Sequence, residues 1–418
     1  MSGFTLRGLI RNKLVQNTGY LSRIEIFRLL MPFIALPYII KTVGVTNYGS
    51  IVFAQAIISY FQIFINWGLD ISAVKDVSIS RNNPGELNRI VSSVLLIKLL
   101  HLLLSASLLI VASLFVPYVY ENAGLLFCCF LLCFTDILFP VWFYQGIEKM
   151  KYLALIKFIS ILFYTVSIFI FIRRADDYIY VPLLQSLGNI LGGIISMYLL
   201  LHVEKMSFCR VRKKYIVRTF KESAPFFISR ISVVLNNSIA KIISGVFFTM
   251  DMVAAFDLAQ KITAIALVPI QMVNQAIYPH LARTLNKLFA RKMLIVNVAL
   301  SFVIALSVFV LAPYAVYYFS KGELEASVFL TRILCVWLFF GGIVVYLGGP
   351  VLVSFGYPKP FNDSVILGTL ILLISYLLLY VFGGLDDVLN FAYVLCFSEI
   401  VMFSYRLFYC MKYKLFAR

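Results

Sequence analysis

The chain has 418 residues, of which 62% are hydrophobic and 16% are aromatic, and its mean hydropathy is +0.94. The core of a water-soluble protein of this length could not hide so much apolar surface, which excludes soluble enzymes and soluble binding modules. The formal net charge of +17 therefore has to be explained within a membrane protein.

Long apolar runs follow one another along the chain, and each holds roughly the 20 residues that a membrane-spanning helix needs. The runs are continuous and rich in Leu, Ile and Phe, whereas a membrane β-barrel shows short alternating stretches. The sequence therefore predicts an all-α polytopic membrane protein with twelve transmembrane helices. Their expected bounds are about 22–42, 49–71, 91–116, 123–144, 153–172, 178–201, 222–244, 252–279, 294–319, 327–353, 361–382 and 388–410.

The basic residues indicate the orientation of these helices, because short cytoplasmic loops hold an excess of Lys and Arg. Alternate loops and both termini carry most of them, whereas the basic residues of the opposite loops are Lys41, Arg173, Arg174 and Lys321. Both termini are thus predicted to be cytoplasmic. The basic run RVRKKYIVRTFK at 210–221 lies in a cytoplasmic segment, so it indicates topology, and we predict no nucleic-acid binding.

The longest polar connection divides the chain near its middle. We predict an N-terminal lobe of six helices at 1–201, a basic cytoplasmic linker at 202–221 and a C-terminal lobe of six helices at 222–418. The N-terminal lobe contains an even number of helices, so the first helix of each lobe begins on the same side of the membrane. The lobes are therefore expected to be parallel copies related by an axis along the membrane normal.

No motif for an enzyme is present. The sequence contains no Walker phosphate loop, no zinc-protease helix and no serine nucleophile elbow, so we expect neither catalysis nor ATP hydrolysis. The seven cysteines lie mostly within apolar runs, and together with the three histidines they form no spaced ligand set. We therefore predict neither a metal site nor a cofactor.

Charged side chains inside the predicted spans are the main functional signal, because each costs roughly 2.5 to 3.5 kcal/mol on insertion scales and so faces water or a partner. Asp257 and Lys261 can pair at i, i+4 on one helical face. The cations that we expect to line a wet cavity and attract an anion are Arg28, Lys98, Arg230, Lys241, Lys261 and Arg332. For those without a local partner, pairing with a distant carboxylate such as Asp70, Asp136 or Glu399 is the alternative.

Polar residues also share one face on two predicted helices, and such a face must meet protein or water rather than lipid. On the second helix they are Gln55, Ser59, Gln62, Asn66 and Asp70, and on the seventh they are Arg230, Asn237, Lys241 and Ser244. Hydrogen bonding between helices uses the same residue types, so a structural role stays open beside ligand binding.

Three stretches of the chain carry a family resemblance. They are GVTNYGSIVFAQA at 44–56, PVWFYQGIEKMKYLALIK at 140–157, and the segment from FDLAQKI at 256 to YPHLAR at 283. In these stretches, and in its length and topology, the chain resembles the O-antigen flippases. These are polysaccharide transporters of the multidrug, oligosaccharidyl-lipid and polysaccharide (MOP) exporter superfamily, which also contains the MATE drug exporters.

The resemblance implies a carrier of two six-helix lobes in the bacterial inner membrane. Such a carrier moves undecaprenyl-pyrophosphate-linked O-antigen repeat units from the cytoplasmic to the periplasmic leaflet by alternating access through a cation-lined cavity. The six cations would attract the pyrophosphate head group, and weaker sugar contacts would come from Gln55, Gln62, Asn66 and Asn237. The expected partners are this lipid-linked oligosaccharide, the bilayer and other membrane proteins of polysaccharide assembly.

A gradient of H⁺ or Na⁺ could drive the cycle, and the titratable candidates for coupling are Asp136, Asp257, Glu399 and His101. Two other functions stay open. A MATE-like exporter of drugs, or an exporter of another polysaccharide, would share the fold. A membrane-embedded O-antigen polymerase or ligase is less compatible, because such enzymes commonly carry a large periplasmic loop, which we do not predict here.

Overall fold

A computed structural model describes residue 31 and residues 33–416, apart from the side chains of Ser229 and Asn237. All regular elements in this part of the chain are helical, which confirms the all-α class. Ten helical segments are long and apolar enough to cross a membrane, and the bent helix Lys213–Phe247 makes an eleventh if its segments count together. The first predicted span begins outside the described residues. The number of twelve spans and the cytoplasmic position of both termini stay predictions.

Several predicted spans are divided into shorter helices in the first half of the chain. A 3₁₀ turn at Ala175–Ile179 precedes α10, and a π-helical turn at Leu199–Val203 follows it. The helices are Phe33–Val43 (α1), Val45–Asn66 (α2), Leu69–Ile79 (α3), Pro84–Phe115 (α4), Pro117–Glu121 (α5), Ala123–Phe130 (α6), Leu132–Leu138 (α7), Val141–Gly146 (α8), Met150–Phe171 (α9) and Tyr180–Tyr198 (α10).

The second half is built from longer helices. A π-helical segment, Leu347–Val353, continues α14, and a 3₁₀ turn at Gly384–Asp386 precedes α16. The helices are Lys213–Phe247 (α11), Met250–Thr284 (α12), Lys287–Ser320 (α13), Ala326–Tyr346 (α14), Pro358–Val381 (α15) and Leu389–Lys412 (α16).

The chain divides into two compact units, and their bounds differ from the predicted lobes. The first unit comprises Met1–Gly44 and Ala54–Ile231, and the second comprises Val45–Phe53 and Ser232–Arg418. Both α2 and α11 therefore contribute residues to each unit. The helix α11 begins at Lys213, within the predicted linker at 202–221.

In the first unit, two non-helical residues separate α2 from α3, although Val45–Ile79 still counts as one candidate span, as expected at about 49–71. Trp67 and Gly68 both adopt left-handed backbone conformations, with φ values of 45° and 71°. The Trp67 ring lies between the rings of Phe220 and Phe227, with centroids 4.6 Å and 4.2 Å away. A Cβ atom on Gly68 would lie 2.6 Å from the backbone nitrogen of Phe227, so only glycine fits this approach.

The apolar centre of the first unit contains the PVWFYQG motif. Trp142, Phe143 and Tyr144 are all buried in one cluster with residues of α3 and α4. The Tyr144 hydroxyl donates to the carbonyl of Ser196 at 2.5 Å, which satisfies a polar group that would otherwise be costly to bury. This most specific part of the family resemblance is thus a packing element.

The second unit has its own core around the π-helical segment that ends α14. Tyr346, Leu347 and Val351 are buried there together with residues of α12 and α16. The Tyr346 hydroxyl donates to the carbonyl of Ala290 at 2.7 Å and so fastens α14 to the start of α13. A π-helical turn is a wider coil that commonly marks a functional position in an α-helix.

Replacing Gly68 by Ala tests the break between α2 and α3. The methyl group would collide with the α11 backbone and hold a strained left-handed φ, so we expect a loss of about 2 kcal/mol or more of folding stability. Gly124→Ala is the matched control, because a Cβ there meets no atom within 4 Å and its φ is not positive. The apparent Tm of the two purified variants in detergent decides the matter, and equal values would contradict this account of Gly68.

Candidate functional site

In the second unit, one buried carboxylate is shared by two lysines and a tyrosine. The Asp257 side chain is 2% exposed, and its oxygens lie 2.7 Å from Nζ of Lys241 and 2.8 Å from Nζ of Lys261. The Tyr48 hydroxyl donates to the same carboxylate and accepts from Lys261 at 2.7 Å. The predicted pairing of Asp257 with Lys261 is present, and Lys241 pairs with a carboxylate sixteen residues further along the chain.

Small residues bring the contributing helices together. A Cβ atom on Gly49 would lie 1.9 Å from the carbonyl oxygen of Met250, so glycine allows the start of α2 to touch the start of α12. A Cβ atom on Gly245 would lie 2.2 Å from the Phe53 ring, which places α11 equally close. These approaches bring Tyr48 within reach of a carboxylate two turns into α12.

The cluster carries an excess of positive charge. Two ammonium groups face one carboxylate, which leaves a net charge of +1 when all three are ionised. The side chain of Lys261 is 41% exposed and that of Lys241 is 19% exposed, whereas Asp257 is almost fully enclosed. Both ammonium groups are thus held in place by Asp257 while part of each side chain stays accessible to a ligand.

A cavity of about 470 Å³ adjoins this cluster within the second unit. Lys241 and Lys261 lie on its wall, together with Gln260, Trp337 and the buried carboxylate Glu399. Such a volume falls in the range of ordinary ligand sites. Its wall offers ammonium groups for an anion, amide groups for hydroxyls and an indole ring for stacking.

The first unit holds a separate polar cluster around Lys98. This lysine is 1% exposed, and its Nζ donates to Asp70 at 2.6 Å, to Asn66 at 2.7 Å and to the carbonyl of Asp136 at 3.1 Å. Asn66 in turn donates to the Asp136 carboxylate at 3.0 Å. All three N–H groups of the Lys98 ammonium thus have acceptors. Lys98 was expected to line a cavity, but it pairs with a distant carboxylate, which was the alternative. The break at Trp67 and Gly68 sets the positions of Asn66 and Asp70.

The remaining predicted residues are scattered through the two units. In the second unit, the guanidinium of Arg332 lies 5.3 Å from the centroid of the Phe309 ring, and this arginine does not line the cavity.

In the first unit, Gln55 donates to Gln185 at 2.8 Å, which is a hydrogen bond between helices, and Gln62 is half-buried. His101 packs against Phe64 and Trp67, and Arg230 is exposed on α11. Arg28 and the Asn237 side chain lie outside the described residues.

Two residues of the second unit are missed by sequence reasoning. Tyr48 lies in a stretch that carries the family resemblance, but nothing in the local sequence connects it with Asp257. Arg406 is 4% exposed near the end of α16, where a basic residue in the sequence is readily taken for a topology signal. The burial of Arg406 becomes apparent only from the packing of α16 in the structure.

A family comparison covers most of the chain. The model of the family described as "Polysaccharide biosynthesis protein" matches residues 14–285. Two relatives share the name "Putative O-antigen transporter" and are each 25% identical to this chain. The one from Escherichia coli strain K12 aligns over 65% of both chains, and the one from Shigella dysenteriae aligns over 90% of this chain and 95% of its own.

Solved structures share the fold at low sequence identity. The structure of the lipid II flippase MurJ in an inward closed conformation covers 94% of this chain and 87% of its own, with a TM-score of 0.75 and 15% identity. An inward-facing multidrug resistance transporter of the MATE family and MOP superfamily covers 93% and 96%, with a TM-score of 0.68 and 15% identity. The all-α fold of this chain is thus the fold of these transporters.

The Lys98 cluster predicts an asymmetry between its two charged partners. Asp70→Asn would remove the direct ion-pair partner of a fully buried ammonium, so we expect a clear loss of folding stability. Lys98→Met should cost less, because the side chain of Asp70 is 40% exposed and can be hydrated. The double variant should be more stable than Asp70→Asn alone. Thermal unfolding of the three purified variants measures this order, and a less stable Lys98→Met protein would show that the account of burial is wrong.

The Asp257 cluster predicts a strong coupling that a double-mutant cycle can measure. Asp257→Asn leaves two ammonium groups facing each other, so we expect a clear loss of stability that Lys241→Gln in the same chain partly restores. Asp251→Asn provides the control, because Asp251 is exposed on the same helix and hydrogen-bonds to Thr46. Independent effects of Asp257→Asn and Lys241→Gln on the apparent Tm would speak against a shared ion pair.

Proposed function

The chain belongs to the polysaccharide biosynthesis protein family, and we propose that it is a flippase for undecaprenyl-pyrophosphate-linked O-antigen repeat units. It moves them from the cytoplasmic to the periplasmic leaflet of the bacterial inner membrane by alternating access. No bond is made or broken, so the protein is a transporter rather than an enzyme. The names of the two relatives and the fold shared with a lipid II flippase support this assignment.

The observation that carries the proposal is the pair of lysine ammonium groups on the cavity wall of the second unit. A pyrophosphate group needs cationic donors, and Lys241 and Lys261 present two ammonium groups beside a site of low dielectric constant, where ionic hydrogen bonds are strong. Gln260 and Asn236 offer amides for sugar hydroxyls, and Trp337 offers a ring face. These side chains provide both kinds of contact that a sugar pyrophosphate requires.

Asp257 gives this site a means of release. When the pyrophosphate is bound, it competes with the carboxylate for Lys241 and Lys261. When the substrate leaves, Asp257 neutralises the lysines again, so the empty site does not hold two unpaired cations in an apolar medium. A carrier must bind its ligand weakly enough to let it go, and an internal counterion lowers the affinity in this way.

The proposal assigns different roles to the other candidates. Lys98 belongs to a closed ion pair and maintains the first unit, whereas exposed Arg230 could attract the head group from solution. For coupling to an H⁺ or Na⁺ gradient, Glu399 is the preferred residue, because it lies on the cavity wall and forms no ion pair among the described residues. Asp257 is less suitable for this task, since three donors already hold its carboxylate.

Two matched variants test the role of the excess charge. Lys241→Gln with Asp257→Asn keeps the net charge of the cluster at +1, and adding Lys261→Gln brings it to zero. We expect the double variant to retain measurable transport and the triple variant to lose at least about tenfold, because one charged hydrogen bond is worth roughly 1.5 to 3 kcal/mol. The rate at which a fluorescent polyprenyl-pyrophosphate-linked sugar reaches the opposite leaflet of proteoliposomes measures the difference.

The same assay separates the competing functions. Equal transport by the double and triple variants would remove the basis of the proposal. If the wild-type protein moved cationic dyes and left the lipid-linked sugar in place, a MATE-like drug exporter would be the better description. Appearance of new glycosidic linkages in the products would indicate a polymerase or ligase instead.

A further inference from the structure

Arg406 is a buried cation that the transport site does not use. Its side chain lies 4% exposed within the second unit, on α16. Nη1 donates to the carbonyl of Val344 at 2.6 Å, and Nε donates to the Ser364 hydroxyl at 2.8 Å. The guanidinium carbon lies 4.7 Å from the centroid of the Phe361 ring. These contacts fix the plane of the guanidinium group.

The surrounding backbone is shaped to receive this side chain. Immediately after Tyr346 the α14 helix widens into the π-helical segment Leu347–Val353, and Val344 accepts from Arg406 just before it. A Cβ atom on Gly348 would lie 2.3 Å from Nη1 of Arg406, so glycine leaves the space that the guanidinium occupies. A π-helical turn and a glycine at the same place indicate more than an incidental contact.

No carboxylate lies within ion-pair distance of Arg406 among the residues that the structure describes. Its two hydrogen-bond acceptors, in Val344 and Ser364, are neutral, and none of the ion pairs there includes it. The acidic group that acts on it is Glu399, seven residues earlier on the same helix and thus two turns away. A guanidinium has five N–H donors, so most of its donors are left for a further acceptor.

A second cavity opens beside this guanidinium. It measures about 650 Å³ and is separate from the transport site, sharing Met402 with it as a lining residue. Arg406 is its charged lining residue, and Gln271, Asn274 and Gln275 supply amides. The Nδ2 group of Asn274 is buried without a hydrogen-bond partner in the described part of the chain. Unused donors of two side chains thus adjoin one cavity.

We propose that this cavity is a second anion site, in which Arg406 binds a phosphoryl group and the amides of α12 bind the groups attached to it. The guanidinium keeps N–H groups beyond those that donate to Val344 and Ser364, and a planar guanidinium is well suited to phosphoryl oxygens. The bound anion pairs directly with the guanidinium, whereas Glu399 acts on it only from two turns away. The phosphoryl group comes either from a free phosphate compound or from the head group of an anionic lipid.

Alkylation of an introduced cysteine tests occupancy while Arg406 stays in place. Gln275 is exposed on the cavity wall, and native Cys209 is exposed elsewhere and serves as the internal reference. In full-length Gln275→Cys protein in detergent, we expect inorganic pyrophosphate to slow maleimide labelling of the new cysteine several-fold and to leave Cys209 unchanged. In nanodiscs without pyrophosphate, slower labelling with phosphatidylglycerol than with phosphatidylcholine alone would identify the lipid head group as the source.

Variants of Arg406 and of the transport site complete the experiment. Arg406→Gln in the same background should abolish the protection, and Arg406→Lys should weaken it about tenfold because the paired donors are lost. The triple variant at Lys241, Asp257 and Lys261 should keep it, so the outcome is independent of the proposed flippase activity. Absence of protection by both probes, protection that survives Arg406→Gln, or its loss in the triple variant would overturn the inference. If Arg406→Gln does not fold, the lysine variant and the Gln275→Cys protein still decide it.

Discussion

A charged group in the apolar interior of a membrane protein must find a partner, and the described structure depends on how each such charge is matched. Asp257 is the central case, because it is fixed by Lys241, Lys261 and Tyr48 and yet supplies too little negative charge for them. Lys98 is matched by Asp70, so its cluster is closed. Arg406 has neutral acceptors. The Lys98 pair is therefore structural, whereas the Asp257 cluster and Arg406 are the groups for which we propose an anionic ligand.

Interruptions of regular α-helix lie beside two of these arrangements. The left-handed residues Trp67 and Gly68 lie between Asn66 and Asp70, and Asn66 and Asp70 both accept hydrogen bonds from Lys98. The π-helical segment Leu347–Val353 begins shortly after Val344, which accepts from Arg406. In both places a glycine allows the close approach, so the polar sites rest on backbone features rather than on loops.

The sequence was sufficient for the class of fold, because hydropathy over some 20 residues reports directly on burial in lipid. It was also sufficient for Asp257 with Lys261, since that pair lies on one helix four residues apart. It could not assign Asp70 to Lys98 or Tyr48 to Asp257, because those contacts depend on tertiary packing between separate helices. Arg332 was expected to line the cavity. Its position along the helix could be read from the sequence, but the face of α14 on which it lies could not. Arg406 was overlooked because a basic residue near the end of an apolar span is normally interpreted as a topology signal.

The membership of Val45–Phe53 in the second unit has a consequence for biogenesis. This segment is synthesised long before Ser232–Arg418. About two hundred further residues follow Tyr48 before its hydrogen-bond partner Asp257 is made. During that interval the early segment lacks its final neighbours. For the same reason, a fragment that begins after the basic stretch at 210–221 would lack part of the packing of the second unit.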